Sequence, residues 1–449
     1  MATYDIRDYG AVGDGKTNDA AAIQVAIDAC ASSGGGTVLI PAGHVFLAGT
    51  IQLRSYVELH VERGAVLQAS GDWDDYTDRF VVSALSSGVV RDDTQASGMF
   101  ISARDAHHIA ITGAGVIDGA GRHFIEKDLG PIYQCPNARP FTMFLIGCTD
   151  VTLRDTTWRD GALWTLRLTG CEDIVIHGIR IDGDLKYPNC DGIDLDRCRN
   201  ARISDCYISC GDDAISLKTC EEFPEHGPCE NITVTNCVLV TTSSALVVGV
   251  DAIAPIRNVV FDNCVIQRSH RGLSVNCGQD SLFENILFSN IVVETRIFDD
   301  KWWGRGEPIY VSVEPWHNDV GRIRNVRFVN ILARSENGAY ISGIQDGVID
   351  GVLLDNVRIE LDKWSNQPGG RYDRRPSSGA DPIFEAPTSG FYIDRASNVT
   401  LRNCEVVWGD NRPEYFHHAL ASSNTENLKV ENFIGASAHP DRHAAVATF

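Results

Sequence analysis

The stretch CENITVTNCVL at residues 229–239, followed by IRNVVFDNCVI at 256–266 and FENILFSNIVV at 283–293, decides how this chain is built. In the first copy the apolar residues Ile232 and Val234, then Cys237 and Leu239, alternate with polar ones. That is the period of a strand with one buried face, because successive strand side chains point to opposite sides, whereas a helix would space them by three and four. Each copy holds two short strands separated by an Asn or Asp, residues suited to tight turns. Neither strand can bury its apolar face alone, so each copy must stack on the one before it.

Further copies run through CTDVTLRDTTW from Cys148, CEDIVIHGIRI from Cys171, CRNARISDCYI from Cys198, IRNVRFVNILA from Ile323 and SNVTLRNCEVV from Ser397. The unit returns roughly every 23 to 31 residues, at times with an insertion, which is the signature of a solenoid. An all-β, parallel β-helix is therefore expected. Asn236, Asn263, Asn290, Asn330, Asn356 and Asn403 hold the same place in successive units. They predict a side-chain ladder inside the helix that satisfies turn amides, with ordinary exposed turn residues as the alternative. Ahead of the repeats, TNDAAAIQVAIDACASSGGG reads as a short helix capped by Thr17 or Asn18 and ended by Gly34, Gly35 and Gly36. Such a helix would plug the open N-terminal end of the stack. One domain over 1–449 is expected, with the cap and first coil in 1–50 and the main stack, with loop insertions, over 100–435.

The chain has 449 residues, 43% of them hydrophobic, enough for a large core, and no linker or charge block divides it. A formal charge of -21 argues against nucleic acid or an anionic membrane as a partner, and slightly against a polyanionic sugar. The opening residues MATYDIRDYGAVGDG lack a basic region and an apolar core, and no apolar run approaches the ~20 residues of a membrane span. A cytoplasmic location is the expectation, although a trimmed secreted chain would look the same. Fourteen cysteines without a CxxC pair fit buried reduced thiols better than disulfides or a zinc module. Asn231-Ile232-Thr233 lies on a coil and reads as turn chemistry, not as a glycosylation acceptor.

The densest polar chemistry lies in Asn189-Cys190-Asp191-Gly192-Ile193-Asp194 and Cys210-Gly211-Asp212-Asp213-Ala214. Asp191 and Asp212 are 21 positions apart (212 − 191), close to one coil, so their carboxylates should face one groove. Asp212 and Asp213 would point to opposite faces in a regular strand, and can share a site only where the chain bends. Crowded carboxylates do not all ionise easily, which leaves an acid beside a base, the division of labour that glycosidic cleavage needs. A calcium site and turn aspartates that cap backbone amides are the alternatives.

With these motifs in view, the sequence resembles the polygalacturonase family, glycoside hydrolase family 28. The supporting segments are DYGAVGDGKTND, GGGTVLIPAG, GAGVIDGAG (113–121), NCDGIDL and CGDDAISLK. The resemblance implies a right-handed, pectin-lyase-like parallel β-helix and an inverting hydrolase without cofactor or metal. It implies Asp212 as general acid and Asp191 and Asp213 as activators of water, with Asn189 and Lys218 of the same motifs at the substrate. Two departures stand out. In SSALVVGV, Ser244 stands where the family has a histidine, and in GLSVN, Ser274 and Asn276 stand where it has Arg-Ile-Lys. Without those basic residues a uronic acid loses its charge-assisted contacts, so a neutral or deoxy sugar such as rhamnose is expected at the cleavage position. Arg271 could partly substitute and keeps galacturonate in play.

Residues 301–316, KWWGRGEPIYVSVEPW, interrupt a coil with Trp302, Trp303, Trp316, Arg305 and Glu307. Flat aromatic faces stack on sugar rings, so Trp302, Trp303 and Arg305 are expected at the substrate, with Glu307 a possible support for the aspartates. The excursion GGRYDRRPSSG (369–379) is suited to closing one end of a cleft, its Arg371, Arg374 and Arg375 expected to pair with surface acids, with contacts to substrate hydroxyls as the alternative. His417-His418 lacks companion ligands at metal spacing, so no zinc site is expected there. The expected activity is hydrolysis of a pectin-type oligosaccharide. The rivals are a calcium-dependent polysaccharide lyase and a non-catalytic carbohydrate-binding β-helix, and the oligomeric state is left open.

Overall fold

The computed structural model describes residues 2–80, 97–136, 138–316, 320–379 and 381–449. Two compact units emerge, Met1–Asp212 with Cys220–Gly227, and Asp213–Thr219 with Pro228–Phe449. Each coils as a parallel β-helix, with the right-handed crossover that parallel strands almost always adopt.

In the first unit, the side chains that alternate inward form continuous rows from coil to coil. Val38 pairs with Leu59, Leu59 with Ile111, Ile111 with Leu153, Leu153 with Ile176 and Ile176 with Ile203, and all of them are buried. A further sheet stacks Ile101, Met143, Leu166 and Ile193 in register. The helix Ala20–Ser32 buries Ile23, Ala26, Ile27 and Cys30, and packs on the strand Gly36–Ile40. Its cap differs in detail from expectation. Asn18 supplies a side-chain oxygen to the Ala20 N–H at 3.0 Å, but the N-cap position itself is Asp19. The Asp19 carboxylate instead accepts from the Val12 and Gly13 amides at 2.7 and 3.1 Å, tying the preceding loop to the helix start. Thr17 is drawn away by Asp14, which accepts its N–H at 2.8 Å.

In the second unit the corresponding row is Val234, Phe261, Phe288, Phe328, Leu354 and Leu401. The three phenylalanine rings stack with centroids 4.8 and 5.0 Å apart, worth about 0.5–1.5 kcal/mol per pair beyond burial. Another sheet stacks Val248, Val275, Val311, Ile341 and Ile393.

The asparagine ladder exists, but on the outside. Asn236, Asn263, Asn290, Asn330, Asn356 and Asn403 are exposed and all take left-handed φ between 52° and 57°, so the corner, not the core, selects them. Along this row Asn330 donates to Asn290 and Asn356 to Asn330, each at 2.9 Å. A parallel row runs through Asn231, Asn258, Asn285 and Asn325 at 2.8–3.2 Å, where Asn231 has the turn role expected of it. Cysteines occupy the interior side of the same corners: Cys206, Cys237, Cys264 and Cys404 are buried, and none of the cysteines forms a disulfide.

Candidate functional site

In the first unit, Asp191 lies in the turn before the strand Ile193–Asp196, and Asp212 in a bend after the strand Tyr207–Cys210. Their carboxylate oxygens come within 4.8 Å of each other, as the one-coil spacing predicts. Asp191 is 3% exposed and Asp212 is half-buried. The Asn189 amide donates to Asp212 Oδ2 at 3.0 Å, so Asn189, in a left-handed turn, fixes that carboxylate through its backbone. The Asn189 side chain is itself held, its Oδ1 accepting from Arg139 at 2.9 Å. Arg139 also donates to the Pro188 carbonyl at 2.9 Å and to Ala162 at 2.6 Å, clamping the turn from below. Nothing in the sequence marked Arg139, whose role depends on chain about 50 residues away. Gly211 is obligatory here, since a Cβ would sit 2.2 Å from the Tyr187 carbonyl oxygen. Next to the pair, burial first and the Asp191 charge second push the Cys190 thiol up to about 12, so it stays a packed neutral group.

Asp213 follows Asp212 through the peptide bond and opens the second unit. The bend at residues 211–212 frees the two aspartates from strand alternation, as expected, before the strand Ile215–Thr219 begins. Asp213 Oδ1 accepts from the Ser243 hydroxyl at 3.0 Å and from the Ser244 amide at 3.2 Å. Ser244 thus serves through its backbone. The Lys218 ammonium, 3% exposed, sits 4.0 Å from Asp213 and 3.9 Å from Asp251, an acid that sequence reasoning missed. A fixed ammonium beside Asp213 supplies the positive charge that calcium would bring, which disfavours a metal reading of that residue.

Arg271 lies opposite Ser244 in the ladder and Glu307 lies opposite Arg271. Arg271 is 2% exposed, its guanidinium stacked over the Tyr310 ring at 3.9 Å and donating to the carbonyls of Asp373 and Arg375 at 2.6 and 3.0 Å, while its Nε makes no hydrogen bond. Its charge is balanced by Glu307 at 4.0 Å and Asp373 at 3.9 Å. Burial raises the Glu307 carboxyl to about 7, although Arg271 pulls the other way. Arg305 is fully buried, bonded to Asp300 and the Pro368 carbonyl, and its amide donates to Glu307 at 2.7 Å. Trp302 is 4% exposed and Trp303 half-buried, while Asn276 is buried in register with Gly249 and Ser312. Of this set, Trp303 offers the ring surface most open to solvent.

The excursion over 369–379 contains the hairpin strand Arg371–Asp373, paired with Ile383–Glu385. Its arginines do not simply meet surface acids. Arg371 does meet an exposed acid, Asp300, at 3.4 Å, as expected, but Arg375 binds fully buried Asp373 at 2.7 Å and Arg374 faces buried Glu314 at 3.6 Å. The C-terminus supplies a second correction: His443 joins His417 and His418, one ring nitrogen of each lying within 4.8 Å of the others. The companion ligand absent from the local sequence arrives from 25 residues downstream of His418 (443 − 418).

Comparison with known proteins agrees with this architecture. The family model for Glycosyl hydrolases family 28 matches residues 30–367. A probable polygalacturonase of Vitis vinifera is 34% identical over 220 residues, covering 47% of this chain and 43% of that protein. One from Arabidopsis thaliana is 26% identical over 221 residues, covering 48% and 42%. The chain thus spans less than half the length of these curated relatives. Among solved structures, the family 28 exopolygalacturonase of Yersinia enterocolitica aligns with a TM-score of 0.68 at 19% identity, covering 96% of this chain and 77% of that one. The exopolygalacturonase of Thermotoga maritima aligns with a TM-score of 0.62 at 19% identity, covering 96% and 92%. Both share the fold.

Proposed function

Because the chain belongs to glycosyl hydrolases family 28, we propose that it is a glycoside hydrolase that cleaves O-glycosidic bonds in a pectin-type oligosaccharide. The observation that carries this reading is the approach of Asp191 and Asp212 to within 4.8 Å. At that separation one of the two keeps its proton more readily than an isolated carboxyl, which supplies an acid at a pH where its neighbour is a base. Asp212, held by the Asn189 amide, is the general acid that protonates the leaving oxygen. Asp191 and Asp213 activate water, Lys218 balancing the charge of Asp213. The bond from the anomeric carbon to the leaving oxygen breaks as water adds, and the water's proton passes to the base.

For the sugar, the reading is a neutral or deoxy residue such as rhamnose at the cleavage position. Its support is the engagement of Arg271, whose guanidinium is occupied by Tyr310, Glu307 and the Asp373 and Arg375 carbonyls. A galacturonate carboxylate would have to compete with those partners. The experiment is a comparison of defined rhamnose-terminated and galacturonate-terminated oligosaccharides by release of reducing sugar. Faster turnover of the galacturonate series would reverse the sugar assignment, and no release from either would remove the hydrolase.

Inversion is the stereochemical outcome that the family resemblance implies. NMR of the first anomer released tests this: the configuration opposite to that of the cleaved bond is expected, and retention would overturn it.

A further inference from the structure

At the C-terminal end, three histidines meet that the sugar chemistry does not use. His417 and His418 precede the strand Leu420–Ser423, and a turn closed by the His443 amide on the His439 carbonyl at 3.0 Å brings His443 against them. The rings of His417 and His443 are nearly parallel with centroids 3.7 Å apart, and His418 lies 5.7 Å from both. His418 Nδ1 faces the Ala444 carbonyl at 2.7 Å and must donate to it, which leaves Nε2 as the nitrogen with a free lone pair. A backbone carbonyl that fixes the tautomer and ring plane in this way is the usual second partner of a metal-binding histidine.

We propose that His417, His418 and His443 form a zinc site. Zinc binds imidazole nitrogen at about 2.0–2.1 Å with tetrahedral angles, which sets ligand nitrogens roughly 3.4 Å apart. The three nitrogens lie within 4.8 Å of one another, and the stacked His417 and His443 rings must turn about their side-chain torsions so that their in-plane lone pairs converge on one ion. The nearby acid Glu414 is bonded to Arg442, so the donor set is nitrogen only. Imidazoles suit zinc, whereas calcium and magnesium want oxygen. Water completes the fourth position.

The ion would act as a clasp. The final segment already touches the coil through the Ala438 amide on the His417 carbonyl at 2.8 Å and the Leu420 amide on the Ala445 carbonyl at 3.1 Å. Zinc adds a bond between side chains of the same two stretches, beside their backbone pairing. This site is independent of the aspartates and of the proposed sugar chemistry.

The test uses untagged full-length protein, stripped with chelator and dialysed against zinc, with bound metal counted by mass spectrometry and affinity measured by calorimetry. One zinc is expected at this site, lost in His443→Ala and bound at least about tenfold more weakly in His417→Gln, with unchanged circular dichroism. On the unmodified protein, zinc should protect His417, His418 and His443 from acylation by diethylpyrocarbonate, mapped by peptide mass. Absence of binding at tenfold excess zinc, full binding in the His443 variant, or unprotected labelling of these three residues would each overturn the proposal.

Discussion

Asp212 and Glu307 are two acids beside glycine-containing bends, in different units of the chain, and their surroundings could hardly differ more. Asp212 is half-buried and takes a neutral backbone amide from Asn189. Glu307 is wholly buried, 4.0 Å from Arg271, with the Arg305 amide on its oxygen. On the proposed reading, the first exchanges a proton with water and with a substrate. The second holds its neighbours in place. Both accept from a backbone amide, so what separates them is access to solvent and the buried cation beside Glu307.

Four experiments can break or sharpen that contrast. The largest effect is expected for Asp212→Asn, which should lower hydrolysis about 10²–10⁴-fold with little change in the urea midpoint. Loss of folding without loss of specific activity would put Asp212 on the architectural side. Arg271→Leu should do the reverse. It leaves Glu307 buried without its cation, Asp373 keeping Arg375 at 2.7 Å, at a cost of about 3–5 kcal/mol in urea titrations.

The third experiment is a pH series. The Glu307 carboxyl rises from 4.5 in a solvated chain to about 7 in the fold. Between those values the folded state binds the extra proton, so this group's contribution is complete below pH 4.5 and is lost as pH rises through 7. The loss amounts to about 3 kcal/mol. Urea midpoints should fall over this window in the parent protein, and Glu307→Gln should flatten the slope. The smallest effect belongs to the outer corners: Asn330→Ala removes two ladder bonds and strains a left-handed φ, at about 1–2 kcal/mol. Asn330→Gly should recover part of that in thermal unfolding.

Which parts were legible in the sequence follows from range. Alternation at Ile232 and Val234 and the recurrence of Asn-Cys are local and periodic, so strands, corners and stacking could be read directly. The proximity of Asp191 and Asp212 follows from one coil of arithmetic. The side of the corner that Asn330 faces does not, because a turn residue alternates with nothing; only its positive φ, absent from sequence, sets it outside. The fate of Arg271 depends on carbonyls 102 and 104 residues away, and an insertion's path carries no period. His443 escaped for the same reason, since a terminal turn and not a repeat returns it to His418.

The row of cysteines behind the corners has a practical consequence. Of the fourteen, all but half-buried Cys135 are buried, and none forms a disulfide. A thiol reagent added to the native protein should label one position promptly and the others only as neighbouring rungs part. Peptide mapping of that labelling over time would then read out, rung by rung, the order in which the spiral unzips.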